Sequence, residues 1–212
     1  TDLEAFSFPN GTLTVRRTPA TLELEYAASS GGTSIEVIAS DNLGNAAITS
    51  FGEQVNTVAS LPDQSTHDRI VKVVNSSGGQ SSDTYWTKFN AENTTYNNDG
   101  TVNVAGSGPG SWEESIDPTV STGLDASTMP HELKSVAVNK FVFQQASWDA
   151  RAVGDNVTNS HPSFVRKDDA GNYIGKIQQA FFHNNRLGFL TEDNVSMSKS
   201  AEFYNFYHST AL

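Results

Sequence analysis

Apolar residues in this chain recur at two-residue intervals more often than at helical ones. Leu13 and Val15, then Leu22, Leu24 and Tyr26, alternate with polar neighbours, so residues 11–26 are predicted to form strands. The run Ser34–Ala39 alternates more clearly and follows a Gly31-Gly32 turn signal, while Asp41–Asn45 carries residues that tolerate left-handed backbone angles. Further strands are predicted at Ile70–Val74 and at Tyr85–Asn90, where Tyr85, Thr87 and Phe89 mark alternate positions. Asn97-Asn98-Asp99-Gly100 reads as a hairpin turn.

One stretch follows a helical pattern. Ser50 can cap a helix, Glu53 completes a capping box, Phe51, Val55, Val58 and Ala59 fall roughly on one face, and Leu61-Pro62 ends the segment. The first half is therefore predicted to be α+β, with one helix on a sheet. Residues 105–110, Ala-Gly-Ser-Gly-Pro-Gly, read as a loop. In the second half, Phe141-Val142-Phe143 and Ile174–Phe182 are predicted strands separated by a Gly/Asn/Asp-rich loop at Gly154–Asn159. Arg186–Thr191 and Val195–Lys199 form a hairpin around Glu192-Asp193-Asn194.

Composition agrees with many short strands. The chain has 212 residues, enough for one large domain or two small ones, with 36% hydrophobic and 17% charged residues and abundant Ser, Thr, Asn and Gly. No stretch approaches the roughly 20 apolar residues that span a bilayer, so no membrane-spanning segment is expected. The chain opens on Thr1, and the aromatic run Phe203–Tyr207 near its other end is expected to be buried by further sequence or a neighbour. Both features point to a segment of a longer product.

The net charge of −11 is unevenly spread: residues 1–120 carry 15 acids against 5 Lys/Arg, and residues 121–212 carry 9 against 8. The acidic first part argues against duplex binding, which needs basic groups against phosphates. The charge step coincides with Asp117-Pro118 and the turn-rich Gly123–Pro130, and sets the expected boundary between an acidic domain at 1–120 and a β segment at 121–212. The absence of cysteine removes disulfides and thiolate metal sites.

Candidate chemistry is sparse. Glu113, Glu114 and Asp117 form the densest acidic cluster, and glycoside hydrolysis uses paired carboxylates, but neighbours on a strand point to opposite faces. The histidines His67, His131, His161, His183 and His208 lack metal-site spacing, and the Asn97–Gly100 and Asp168–Asn172 loops lack the ligand pattern of a calcium loop. No phosphate loop and no nucleophile elbow is present. Neither a metal nor another cofactor is expected. Tyr85, Trp86, Tyr96 and Trp112 could stack on sugars, although aromatics more commonly fill a sheet core or a subunit interface.

Several motifs in one order carry a family resemblance. They are Tyr85-Trp86-Thr87-Lys88-Phe89, Trp112-Glu113-Glu114-Ser115, Thr128-Met129-Pro130-His131-Glu132-Leu133 and Trp148-Asp149-Ala150-Arg151. The next are Thr158-Asn159-Ser160-His161-Pro162-Ser163-Phe164-Val165 and Phe181–Leu190, followed by Asn194–Ser200, which contains Ser198. Over residues 61–207 this order resembles the tail nozzle (tail tubular protein B) family of short-tailed bacteriophages; residues 1–60 carry no motif of the resemblance.

The resemblance implies a non-enzymatic virion tail protein: a homo-hexameric ring below an adaptor (gatekeeper) ring, near tail fibres, carrying double-stranded DNA outward without reading its sequence. It implies a mainly β fold with a small α+β part, a platform-like domain followed by the opening strands of a β-propeller. The longer loop at Lys167–Tyr173 departs from the family pattern. Structural roles are expected for Trp112, Pro130, His131, Trp148, Arg151, Pro162, Phe164, Arg186 and Ser198. The two prolines restrict the residues before them, and the two arginines can fork to carboxylates or carbonyls across loops. A carbohydrate-binding tail module using exposed Trp86 or Trp112, and a depolymerase using Glu113 or Asp117, are the alternatives.

Overall fold

Period-two alternation becomes paired strands in the computed structural model, which describes residues 11–29, 37–44, 47–74, 84–167, 170–173 and 175–211. The chain divides into two units, Thr1–Glu114 and Ser115–Leu212. The predicted turn at Gly31-Gly32 and the first half of Ser34–Ala39 lie outside the described residues.

In the first unit, β1 (Gly11–Arg17) and β2 (Leu22–Ala28) form an antiparallel hairpin in which Leu13 faces Tyr26 and Val15 faces Leu24. A five-stranded sheet has the order β3-β5-β6-β9-β4. Its strands are β3 (Gln54–Val55), β4 (Gln64–Thr66), β5 (Ile70–Val74), β6 (Thr84–Ala91) and β9 (Ser107–Ser115). β7 (Thr95–Tyr96) and β8 (Val102–Val104) make a separate hairpin closed by the predicted Asn97–Gly100 turn, with Gly100 at φ 83°. Val55, Leu61, Val71 and Val73 form the core, with Phe51, Tyr85 and Trp112 packed on it. Val71 is fully buried, and burial of such a side chain stabilises by about 1.5–3 kcal/mol.

Two local expectations are overturned. The helix predicted from Ser50 is absent: residues 54–55 are strand β3, paired in parallel with Lys72 and Val73, and Val58–Ser60 makes a single 3-10 turn. Gly52 weakens the first helical turn, and β-branched Val55, Thr57 and Val58 favour extended backbone. A segment of some ten residues has little cooperativity to oppose burying Val55 against the sheet. The loop predicted at 105–110 belongs mostly to β9, whose glycines allow close approach. A Cβ on Gly110 would fall 2.2 Å from the carbonyl oxygen of Asn90. Pro109 donates nothing to a ladder, but its carbonyl accepts from the Glu92 amide.

The β1–β2 hairpin is fastened to β4 through one buried carboxylate. Glu23, 7% exposed, accepts from the hydroxyl of Ser65 and from the Thr66 amide at 2.9 Å, and Arg69 lies 3.3 Å away. Burial pushes this carboxyl upward, but the hydrogen bonds from Ser65 and Thr66 and the charge of Arg69 outweigh it and hold it below its ordinary value. A depressed carboxyl stabilises the fold above its unfolded value, and that contribution is lost as pH falls through the lower folded value. The hydrogen-exchange protection of the hairpin, corrected for the intrinsic pH dependence of amide exchange, is therefore expected to fall on acidification below the ordinary carboxyl range. Glu23→Gln should show fast exchange already at neutral pH and a flatter profile, and an unchanged profile in the variant would remove Glu23 as the latch.

In the second unit, β10 (His131–Ala137) and β11 (Lys140–Gln145) form a two-stranded ribbon turning at Asn139, which has φ 56°. Its Leu133, Phe141 and Phe143 are 67%, 61% and 71% exposed, an unusual load of apolar surface. A three-stranded antiparallel sheet follows, of β12 (Gln179–His183), β13 (Arg186–Leu190) and β14 (Val195–Met197). Asn184 and Asn185 both have positive φ, as a two-residue hairpin turn between His183 and Arg186 requires. Ile174 lies outside the described residues, and β12 starts at Gln179.

The core of this unit is aromatic: Met129, Phe164, Leu187 and Phe189 are buried, with Trp148 and Phe206 against them. The terminal aromatic run thus finds part of its cover inside the unit. Phe206 stacks on Phe189 at 5.4 Å and 12°, and Tyr207 is 4% exposed. Phe203 stays 37% exposed, edge-on to Phe182.

Candidate functional site

Arg151 organises the loops of the second unit. It is 2% exposed, and its guanidinium donates to the carbonyls of Asp155 and Asn159 at 2.9 Å each, to the carbonyl of Ser121, and to the side-chain oxygen of Asn156 at 3.1 Å. Its Nε has no partner among the described residues. A planar five-donor fork can collect carbonyls from two separate segments, which a point-like ammonium cannot.

The loop it holds is also fixed from within. Gly154 has φ 80° and a would-be Cβ 2.8 Å from the Thr158 hydroxyl, so the position is restricted to glycine. Asp155 accepts from the amides of Val157 and Thr158, both at 2.8 Å. Burial raises the Asp155 carboxyl, but these bonds and the Arg151 charge hold it below its ordinary value. Buried Asn159 donates to the carbonyls of Val153 and His208 and accepts from the His208 amide at 2.9 Å.

His161 and Tyr207 complete the cluster. Burial, helped by the Arg151 charge, lowers the His161 imidazole, while burial pushes the Tyr207 phenol up to about 12 despite Arg151. Both are therefore neutral near pH 7, and a hydrogen bond of 2.6 Å joins the phenol to His161 Nδ1. This histidine is engaged in a structural bond.

The remaining motif residues are dispersed. Trp148 packs its ring against Phe189, Tyr204 and Phe206. Pro162 precedes the short 3-10 turn Ser163–Val165, which sets buried Phe164 edge-on to Phe189 at 5.2 Å. Ser198, fully buried, accepts from the Leu187 amide at 3.0 Å and donates to the Lys199 carbonyl at 2.9 Å. Arg186 is exposed and among the described residues makes one side-chain bond, to the Ser198 carbonyl at 3.3 Å. Pro130 is exposed, and His131 stacks on Phe143 at 5.2 Å. In the first unit Trp112 donates from its indole to the Pro62 carbonyl at 2.8 Å and lies edge-on to Phe89.

The carboxylates and aromatics singled out for sugar chemistry are not assembled as foreseen. Glu113 is exposed, and Asp117 is engaged in a turn, accepting from the Thr119 amide and hydroxyl. Trp86 is half-buried, with Lys72 Nζ 5.5 Å from its ring centre. Among the described residues no group of three His, Asp or Glu side chains could hold a metal ion.

A polar hollow of about 420 Å³ in the first unit was not foreseen from the sequence. His67, Asp68, Lys88, Asn90, Tyr96 and Glu113 line it. Asp68 has φ 66° and its carboxylate lies 3.3 Å from Lys88 Nζ and 3.6 Å from His67 Nε2. The buried His67 accepts at Nδ1 from the Ala91 amide at 3.3 Å, which leaves a proton on Nε2, toward Asp68. Tyr96, 51% exposed, forms an edge-on contact with His67 at 6.0 Å.

A family model described as bacteriophage nozzle protein matches residues 4–212. Tail tubular protein gp12 of Escherichia phage T7 is 30% identical over 147 residues, 69% of this chain and 15% of that protein. The chain therefore spans about 15% of the length of this curated relative.

Proposed function

The chain belongs to the bacteriophage nozzle protein family, and from that premise we propose that it is a structural part of the virion tail nozzle, without catalytic residues. Six copies form a ring below the adaptor (gatekeeper) ring, near the tail fibres, and line a conduit through which double-stranded DNA leaves without sequence-specific contacts. The acidic residues 1–120 form the platform-like part, and residues 121–212, with the β12-β13-β14 sheet, supply the opening strands of a propeller.

The family match over residues 4–212 carries this reading. Physical features support it. The unit Thr1–Glu114 holds 14 acids against 5 Lys/Arg, and an acidic wall gives phosphates no anchor during passage. Screening confines that field to about 8 Å at physiological salt, so only residues facing the channel would act on the DNA. The ribbon β10–β11 is an isolated strand pair with exposed Leu133, Phe141 and Phe143, and such ribbons are marginal without further cover. A ring contact would provide that cover.

Cryo-electron microscopy of intact virion tails tests the proposal. A sixfold tube with this chain beneath the adaptor ring is the expected result. Its presence as a detached monomer or trimer outside the tube would overturn it.

A further inference from the structure

We propose that the hollow lined by His67, Asp68, Lys88, Asn90, Tyr96 and Glu113 binds an uncharged pyranose ring, which would give the first unit a saccharide-recognition site besides its structural role. Its volume of about 420 Å³ lies within the range of small-ligand pockets, about 300–1,000 Å³. The selection of ligand class follows from the walls.

One wall is an open apolar surface. Tyr96 is 51% exposed and Val102, also at the hollow, is 39% exposed. A half-exposed aromatic ring is suited to the C–H face of a sugar. The other lining groups mix donors and acceptors: the Lys88 ammonium, the Asn90 amide, whose Oδ1 accepts from the Tyr96 hydroxyl at 3.4 Å, and the Asp68 and Glu113 carboxylates. Hydroxyls, each both donor and acceptor, match such a mixture, whereas an apolar ligand would leave it unpaired.

The charges argue against an ion. Lys88 already lies 3.3 Å from Asp68, which leaves Glu113, whose carboxylate makes no hydrogen bond or ion pair among the described residues, as the uncompensated charge. One carboxylate repels phosphate and sulfate, and it is too few ligands for a divalent cation. The acidic surroundings reinforce the exclusion of anionic sugars.

The polar side is preorganised. Asp68 holds a left-handed backbone angle that few side chains adopt, and its carboxylate is flanked by Lys88 and the buried His67. His67 is in turn fixed by the Ala91 amide. Both contacts fall on Oδ1, which leaves Oδ2 of this 55% exposed side chain as the acceptor for a sugar hydroxyl.

The test is amide chemical-shift mapping on the full chain. The probes are methyl glucopyranoside, methyl galactopyranoside, N-acetylglucosamine and their linear neutral oligosaccharides, with inorganic phosphate and dextran sulfate as anionic comparisons. Neutral saccharides are expected to shift the amides of Asp68, Asn90, Tyr96 and Glu113. Tyr96→Leu should weaken binding about tenfold, while Tyr96→Phe, which keeps the ring, should stay within about twofold. Asp68→Asn, tolerant of the same backbone angle, should also weaken it. Absence of shifts with every neutral saccharide, undiminished shifts in folded Tyr96→Leu, or a preference for the anions would each overturn the proposal.

Discussion

Replacing Arg151 by alanine is expected to destabilise the unit Ser115–Leu212 by about 4 kcal/mol, because it removes a buried fork and leaves its acceptors without donors. The guanidinium satisfies carbonyls of Ser121, Asp155 and Asn159 as well as the Asn156 side chain. Each charge-assisted bond contributes about 1.5–3 kcal/mol, and part of that is recovered when water reaches the exposed members of the set. Arg151→Lys should recover less than half, since one ammonium cannot span two loop segments in a planar array. Arg186→Ala offers the contrast. That side chain is exposed and makes a single 3.3 Å bond among the described residues, so a loss of at most about 1 kcal/mol is expected. Urea unfolding monitored by hydrogen exchange of β13 would measure all three. A loss below about 1 kcal/mol for Arg151→Ala would mean that Gly154, Asp155 and Asn159 hold the loop without it.

Much of the strand framework is legible in the sequence because turn chemistry and period two agree there. Leu13, Val15, Leu24 and Tyr26 are cross-strand partners in β1–β2, and Asn97–Gly100 closes β7–β8. Arg186–Thr191 and Val195–Lys199 contain β13 and β14, paired around the Glu192–Asn194 turn. Where local signals conflicted with tertiary pairing, tertiary pairing prevailed. Ser50 and Glu53 carry a good capping box, yet Val55 gains more from parallel pairing with Val73 than from a short helix interrupted by Gly52. Residues 105–110 look like a linker because Gly and Pro usually break strands; in β9 the same glycines are what lets Asn90 and Ala91 lie so near.

The hollow was hidden for a different reason. Its lining comes from the β4–β5 turn, β6, the β7–β8 hairpin and β9, so no spacing in the sequence brings Asp68, Tyr96 and Glu113 together. Asp68 also follows His67 without any turn glycine, and nothing in its neighbours announces a positive φ. The sequence did single out Tyr96 and Glu113, but as members of other groupings, with Trp86 and with Glu114. The aromatic run Phe203–Tyr207 shows the same limit from the other side: its apolar character is plain, but its partners Phe189 and His161 lie too far back in the chain to be inferred from pattern.

Phe189→Ala should cost the second unit about 4 kcal/mol, since truncating a buried phenylalanine loses its transfer energy and opens a cavity, together about 3–5 kcal/mol. The residue is 2% exposed and touches every aromatic of the core: stacked on Phe206, edge-on to Phe164 and tilted against Trp148 at 6.1 Å. Such pairs add about 0.5–1.5 kcal/mol beyond area burial, so the ring geometry matters as well as the volume. Phe189→Leu keeps much of the volume and loses the ring, and about 1.5 kcal/mol is the expected cost. The cavity variant should also weaken Trp148, whose indole relies on these rings for packing, and its fluorescence would shift toward that of exposed tryptophan before global unfolding. Phe206 belongs to the terminal aromatic run, so the double variant Phe189→Ala with Phe206→Ala should cost less than the sum of the singles, because each removes part of the same stack. Additive losses would mean that the two rings stabilise the unit independently and that the terminal run is not part of one core.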